Sequence, residues 1–218
     1  GVDTKFYHPN LPVLYKKGQP QLIFVSVLRK YKNAGVLITA MSDLLKIYPK
    51  AHLQIVGDGE DYSNLKQSIK QLGLEKSIEM VGKISDEELR LRYASSDLYL
   101  SASTNEHCPV PPFEAMGCGK PVVLSELESH KEIVSASEAG LTFSFTDKSD
   151  ICKKIEEVYE NFYKDFDISM NFNTFSFMLN DESITNLTKY TTHLSIIIRN
   201  PFEIIGSYVK YARNMSID

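Results

Sequence analysis

The sequence has no tryptophan, only three cysteines in 218 residues, and no large excess of either charge. The cysteines, Cys108, Cys118 and Cys152, are widely spaced and form neither a disulfide framework nor a CxxC metal motif, which indicates reduced thiols and a cytoplasmic protein. With 24 Lys and Arg against 28 Asp and Glu, no basic surplus exists to neutralise a nucleic-acid backbone. The composition argues against a disulfide-stapled secreted module and against a nucleic-acid partner.

Long hydrophobic runs are also missing. The apolar stretches at 21–28 and 195–205 are too short or too interrupted to span a bilayer. The sequence opens at Gly1 with neither an initiator methionine nor a signal peptide. We therefore expect Gly1 to be the cut edge of a longer protein.

Short apolar segments alternate with helix-like stretches over the first 145 residues. The segments are apolar nearly throughout, as in parallel strands covered on both faces, and lie at 21–28, 52–57, 77–81, 97–102, 121–124 and 140–145. Predicted helices over 34–48, 60–72 and 86–95 separate the first four of them. This order predicts an α/β fold, a Rossmann-like doubly wound parallel sheet of about six strands with helices on both faces.

The pattern changes after the last of these strands. A helix with one apolar face, capped by Asp147, is predicted to run to about 164, and two short helices follow near 182–194 and 202–213. We accordingly divide the chain into a Rossmann-like domain, residues 1–165, and a helical tail, residues 166–218, expected to pack on it or on a further domain.

The segment between Glu106 and Glu114 has the most informative chemistry. Seven residues separate the two acids, and three of these are Pro109, Pro111 and Pro112, which forbid one continuous helix. Glu106 is therefore predicted in a strand-to-helix loop, and Glu114 in the first turn of the next helix. Both carboxylates are expected to converge on the crevice at the carboxyl ends of the strands. The alternative for Glu114 is a solvated acid that the helix dipole favours.

Other candidate ligands follow the strands. Main-chain N–H groups of the proline-rich loop, those of His107, Cys108 and Val110, can bind phosphate or sugar oxygens. Arg29 and Lys32 follow the first strand directly, where cations could neutralise a diphosphate, although a solvated basic turn is the alternative for each.

A pair of glycines, Gly57 and Gly59, follows the second strand and permits a close backbone approach or simply a tight turn. Because the first two glycines of a dinucleotide-binding fingerprint have this spacing, an NAD-type Rossmann domain is one alternative function. Tyr62 occupies the third glycine position of that fingerprint. His130, further along the chain, is expected on the surface at the rim of the crevice.

The order of six motifs resembles one enzyme family. The Glu106–Glu114 segment followed by AMGCGKPVV is similar to the Glu-x7-Glu signature of the family 4 (group 1) retaining glycosyltransferases. The other similar stretches are GVDTKFYHP at 1–9, like the interdomain crossover, IVGDG at 55–59, IEMVGKISDEEL at 78–89, DLYLS at 97–101 and SELESHKEIV at 125–134. The resemblance implies the carboxyl-terminal, donor-binding domain of a two-domain GT-B enzyme.

The resemblance also implies roles. Glu114 would hold the ribose, Glu106 would contact the donor sugar, and Lys32 would bind the diphosphate, so that Glu106 and Lys32 are the catalytic candidates. The backbone at Lys83 and Ile84 would lie against the base. The substrate would be a nucleotide-diphosphate sugar whose hexose passes to a glycan or a lipid-linked acceptor, with no metal and no other cofactor.

Two departures from the family stand out. Ser26 and Val27 occupy the family's usual Gly-Arg position, so Arg29 is the candidate replacement for the missing arginine. The loss of that arginine also leaves a non-catalytic nucleotide- or partner-binding module as a further alternative function. His107-Cys108-Pro109 replaces Gly-Phe-Gly. We expect the acceptor-binding amino-terminal domain to lie outside this sequence, any peripheral membrane contact to occur through that half, and the 218 residues alone to bind donor without transferring it.

Overall fold

The computed structural model describes residues 2–161. In this range six strands form one sheet: β1 Gln21–Val25, β2 His52–Val56, β3 Ile78–Gly82, β4 Leu98–Ser101, β5 Val122–Ser125 and β6 Gly140–Phe143. The connecting helices of the same range are α1 Ala34–Ile47, α2 Tyr62–Gln71, α3 Asp86–Ala94, α4 Pro111–Gly117, α5 Glu128–Ser137 and α6 Asp150–Tyr159, and a 3-10 turn, Lys30–Lys32, precedes α1. None of the helices in this range is both long and apolar enough to cross a membrane.

The strand order is β3-β2-β1-β4-β5-β6, and every neighbouring pair is parallel. Strands β2 and β3 therefore lie on one side of β1, and the chain then crosses to the other side of β1 to form β4, β5 and β6. Right-handed crossovers place the helices of the two halves on opposite faces, and accordingly α1 packs with α2 and α6, whereas α3 packs with α4. The predicted doubly wound sheet with helices on both faces is confirmed.

The strands are buried on both sides, which explains why they are apolar nearly throughout. Leu22, Ile23 and Leu53 are 0% exposed. Among the buried polar side chains are those of Ser103 and Ser125, at or just beyond the carboxyl ends of β4 and β5, which are 1% and 0% exposed. Buried hydroxyls need hydrogen-bond partners, so a hydrogen-bonded polar site is expected at these strand ends.

The end of the described range differs from the sequence prediction. Helix α6 begins at Asp150 rather than directly after Asp147. The Asp147 carboxylate accepts hydrogen bonds from the main-chain N–H and the hydroxyl of Ser149, at 2.8 and 2.7 Å, and so forms a turn before the helix. Gly1–Tyr159 forms one compact unit. The predicted helices at 182–194 and 202–213, and the proposed boundary at 165, lie outside the described residues.

The turn after β2 lies directly against the segment after β1. Gly57 has a φ of 122°, and a Cβ there would stand 1.8 Å from the carbonyl oxygen of Ser26. Main-chain bonds from Ser26 to Val56 and from Leu28 to Asp58 join the two segments. The close approach that the glycines permit is thus to the protein's own backbone.

We predict that Gly57→Ala lowers the free energy of unfolding by about 2–3 kcal/mol, since alanine meets both an unfavourable φ and a backbone clash. The matched control is Gly35→Ala in α1, where a Cβ meets nothing within 4 Å; it should raise stability by about 0.5–1 kcal/mol. Urea unfolding followed by circular dichroism measures both. Equal effects of the two substitutions would contradict this account of the turn.

Candidate functional site

A hollow of about 370 Å³ lies at the carboxyl ends of β1 and β4. This is the point where the strand order reverses, and doubly wound sheets bind their ligands in such a crevice. The residues that line it come from three places: the end of β1 and the turn after it, the end of β4, and the proline-rich loop. A hollow of this size matches a site for a small molecule.

An ion pair joins the two walls of the hollow. Lys32 Nζ, from the turn after β1, pairs with Glu106 Oε1, from the loop after β4. The two side chains are only 17% and 13% exposed. A second link holds the same two segments together, because the main-chain N–H of Thr104 donates to the carbonyl oxygen of Tyr31 at 2.8 Å. The structure therefore keeps opposite charges together inside the crevice.

The loop after β4 is also tied to β5 and α5. Ser103 Oγ donates to Glu106 Oε1 at 2.9 Å, and Ser129 Oγ donates to the Glu106 carbonyl oxygen at 2.9 Å. Ser125 Oγ donates to the carbonyl oxygen of Ser103. Both the main chain and the side chain of Glu106 are consequently held in place.

The second acid of the motif occupies the predicted position, in the first turn of α4 after two prolines. Tyr93 Oη donates to Glu114 Oε2 at 3.0 Å. Burial raises the pKa of Tyr93 well above its usual value, and nearby Tyr99 and Glu114 add to the shift. Burial also raises the pKa of Tyr7, and the charge of Glu114 and a hydrogen bond to its side chain contribute. Tyr93 thus holds this carboxylate, and Tyr7 lies close enough for its pKa to respond to it.

Tyr99 of β4 lies within electrostatic range of both acids. Burial raises its pKa most, and the charges of Glu106 and Glu114 raise it further. Tyr99 lines the hollow, as Glu106 does, whereas Glu114 is not among the lining residues. The two acids therefore flank one buried tyrosine, but only Glu106 forms part of the wall of this hollow.

Some of the remaining predicted site residues line the hollow and others do not. Arg29 lines the hollow from two positions after Val27, which also lines it, and Cys108 and Val110 line it from the opposite side. None of the hydrogen bonds among residues 2–161 uses the main-chain N–H of Cys108 or Val110. The predicted residues outside this lining are His107, which is exposed, Lys83 and Ile84 after β3, and Gly57 and Gly59 after β2.

His130 was expected on the surface, and this is wrong: its side chain is 0% exposed. The residue lies in α5, and its Nδ1 is 2.9 Å from the carbonyl oxygen of Ser125 at the end of β5. That contact holds the imidazole against the buried end of β5. Burial lowers the pKa of His130, against smaller opposing contributions from the Ser125 hydrogen bond and the Glu106 charge.

Sequence reasoning missed several residues that hold the two acids or lie close to them. They are Tyr7, Tyr93, Tyr99, Ser103, Ser125 and Ser129. A signal was available for some of them, since Ser101, Ser103 and Ser125 are polar residues at the ends of otherwise apolar strand segments.

No cluster of three or more His, Cys, Asp or Glu side chains suited to a metal ion occurs within residues 2–161. The independence from a metal that the resemblance implies stays a prediction.

Comparison with known proteins decides the family. The family model described as glycosyl transferases group 1 matches residues 12–170. The chain belongs to this family. This group 1 glycosyltransferase chain is 31% identical over 106 residues to alpha-monoglucosyldiacylglycerol synthase of Streptococcus pneumoniae, a match that covers 49% of the chain and 24% of that protein. The matched regions span about a quarter to a third of the first curated relatives' own lengths, 24%, 35% and 31%.

Solved structures give the same result. Anabaena Alr3699/HepE, in complex with UDP and glucose, superposes with a TM-score of 0.62 at 25% identity over 73% of this chain and 46% of that one. The C-terminal domain of the group 1 protein LpcC from Francisella tularensis superposes with a TM-score of 0.58 at 25% identity, over 72% of this chain and 87% of that domain. These relatives do not favour the NAD-binding alternative.

We predict that Tyr93→Phe lowers the free energy of unfolding by about 1.5–3 kcal/mol, because a buried hydrogen bond to a charged group is lost. The control is Tyr31→Phe, at a ring that is 38% exposed, which should change stability by less than about 0.5 kcal/mol. Urea titrations of the two variants make the comparison. Losses of equal size would show that the bond to Glu114 contributes nothing to stability.

Proposed function

We propose that this chain binds a nucleotide-diphosphate sugar as the donor domain of a retaining glycosyltransferase, which moves a hexose to a glycan or lipid-linked acceptor. The observation that carries the proposal is the Lys32–Glu106 ion pair inside the hollow at the strand-order reversal. A cation for a diphosphate and an anion for sugar hydroxyls stand side by side at the point where such sheets bind ligands.

The diphosphate would lie between Lys32 and Arg29 on one wall and the N–H groups of Cys108 and Val110 on the other. All four residues line the hollow. Arg29 lines it next to Val27, which supports its role as the replacement for the family's usual arginine. Charge-assisted hydrogen bonds of this kind are the strong ones in proteins.

The rest of the donor would extend along the edge of the sheet. Glu106 would accept from the sugar, Glu114 would accept from the ribose hydroxyls next to Tyr93, and the backbone at Lys83 and Ile84 would lie against the base. The complex of HepE with UDP and glucose supports a nucleotide sugar as the ligand class. The name of the Streptococcus pneumoniae relative supports a lipid-linked acceptor.

The residues favour electrostatic catalysis over a carboxylate nucleophile. Retaining glycosidases need two free carboxylates about 5 Å apart, and here Tyr93 donates a hydrogen bond to Glu114. In the proposed step the bond between the sugar's anomeric carbon and the diphosphate oxygen breaks while the acceptor hydroxyl attacks the same face. Lys32, Arg29 and the loop amides stabilise the charge that grows on the leaving diphosphate. The acceptor's proton passes to an oxygen of that diphosphate.

We predict that Lys32→Ala weakens UDP binding by about 2–3 kcal/mol, the loss expected for a charge-assisted contact, and leaves uridine binding unchanged. The matched control is Lys30→Ala, in the same 3-10 turn but outside the lining of the hollow. Calorimetry with UDP and competition with uridine measure the pair. Equal losses for uridine and UDP would contradict a phosphate role for Lys32.

We predict opposite changes for two ligands in Glu106→Gln. UDP should bind more tightly, because Lys32 is released from its anionic partner, whereas UDP-glucose should lose a contact to a charged acceptor. The ratio of UDP-glucose to UDP affinity should fall at least about tenfold. Calorimetry with both ligands gives the ratio directly. Parallel changes in the two affinities would overturn the assignment of Glu106 to the sugar.

A further inference from the structure

A series of hydrogen bonds beneath the hollow connects a buried histidine to Glu106. His130 Nδ1 lies 2.9 Å from the carbonyl oxygen and 3.1 Å from the hydroxyl of Ser125. Ser125 Oγ donates to the carbonyl oxygen of Ser103, and Ser103 Oγ donates to Glu106 Oε1. The proposed mechanism gives His130, Ser125 and Ser103 no role.

These bonds determine which imidazole nitrogen carries the proton. The Ser125 carbonyl oxygen can only accept, and the Ser125 hydroxyl proton points to Ser103, so both atoms facing Nδ1 are acceptors. Nδ1 therefore carries hydrogen. Nε2 is buried with no hydrogen-bond partner among the described residues. Burial lowers the pKa of His130, which favours the neutral ring in this position.

The other end of the series leaves one atom of Glu106 available. Lys32 and Ser103 both contact Oε1, whereas Oε2 takes part in no hydrogen bond among residues 2–161. Ser129, the neighbour of His130 in α5, holds the Glu106 carbonyl oxygen at 2.9 Å. Glu106 is thus anchored from β5 and α5 with Oε2 free to accept from a ligand.

We propose that His130 is a positioning residue for Glu106. The neutral imidazole orients Ser125, Ser125 fixes the loop at Ser103, and Ser103 sets the rotation of the Glu106 carboxylate, so that Oε2 faces the donor sugar. This inference rests on the proposed function, because it requires that Glu106 contact the sugar. Asparagine and glutamine at position 130 distinguish positioning from simple packing, since their amide nitrogens occupy the places of Nδ1 and Nε2 respectively.

The test is calorimetry of the 218-residue chain with UDP-glucose and with UDP. His130→Asn keeps a donor for Ser125 and should leave the ratio of UDP-glucose to UDP affinity within about twofold of that of the unmodified chain. The amide of His130→Gln cannot reach Ser125, so this variant should lower the ratio about 5- to 10-fold, the effect of losing one hydrogen bond. UDP affinity alone should stay unchanged in both variants. Unfolding curves verify that each variant folds.

Ser103→Ala cuts the series between the imidazole and the carboxylate by removing a single hydroxyl. It should lower the ratio as His130→Gln does, and adding His130→Gln to it should lower the ratio no further, because coupled residues are not additive. If His130→Gln does not fold, Ser103→Ala alone decides: an unchanged ratio overturns the proposal.

Glu106→Gln distinguishes a failure of the proposed function from a failure of the positioning role alone. If the unmodified chain binds neither ligand, or if Glu106→Gln leaves the ratio unchanged, the proposed function fails and the role of His130 fails with it. If Glu106→Gln lowers the ratio while Ser103→Ala and His130→Gln do not, only the positioning role is overturned. Equal losses for UDP and UDP-glucose in His130→Gln would also overturn it, since they indicate general damage.

Discussion

The Lys32–Glu106 ion pair joins the segments that follow β1 and β4, the neighbouring strands between which the strand order of the described sheet reverses. Each partner belongs to a different strand-to-helix connection, so the pair exists only because β1 and β4 are neighbours. Charges that are 17% and 13% exposed lose part of their hydration and need each other in the absence of ligand. A bound diphosphate would offer Lys32 a second anion and free Glu106 for a sugar hydroxyl. The pair is therefore a group that ligand binding would rearrange.

Both acids of the motif are held by other side chains of the described residues. Serines at the ends of β4 and β5 hold Glu106, and Tyr93 of α3 holds Glu114. Tyr7 adds a contact from the segment before β1, where it packs so closely on α4 that a Cβ on Gly117 would lie 3.2 Å from it. Such pre-organisation limits the side-chain entropy that a ligand must remove on binding.

The parallel sheet and the placement of the two acids could be predicted from the sequence, because the patterns that indicate them are local. The alternation of apolar and amphipathic stretches predicts the parallel sheet, and three prolines separate a loop acid from a helical one. The roles of Tyr93 and His130 could not be predicted. Tyr93 lies in the polar stretch DEELRLRYA and His130 in ESHKEIVSAS, and neither segment has the strong apolar period that marks a buried face. Their burial depends on contacts between elements distant in sequence, which propensity and spacing do not report.

The most direct test of the central claim is a crystal structure of the chain with UDP-glucose bound. The account predicts the diphosphate in the hollow at the ends of β1 and β4, with Lys32 Nζ moved from Glu106 to about 3 Å from a phosphate oxygen, and Glu106 on the sugar. A nucleotide bound elsewhere, with the Lys32–Glu106 pair intact and the hollow empty, would contradict it.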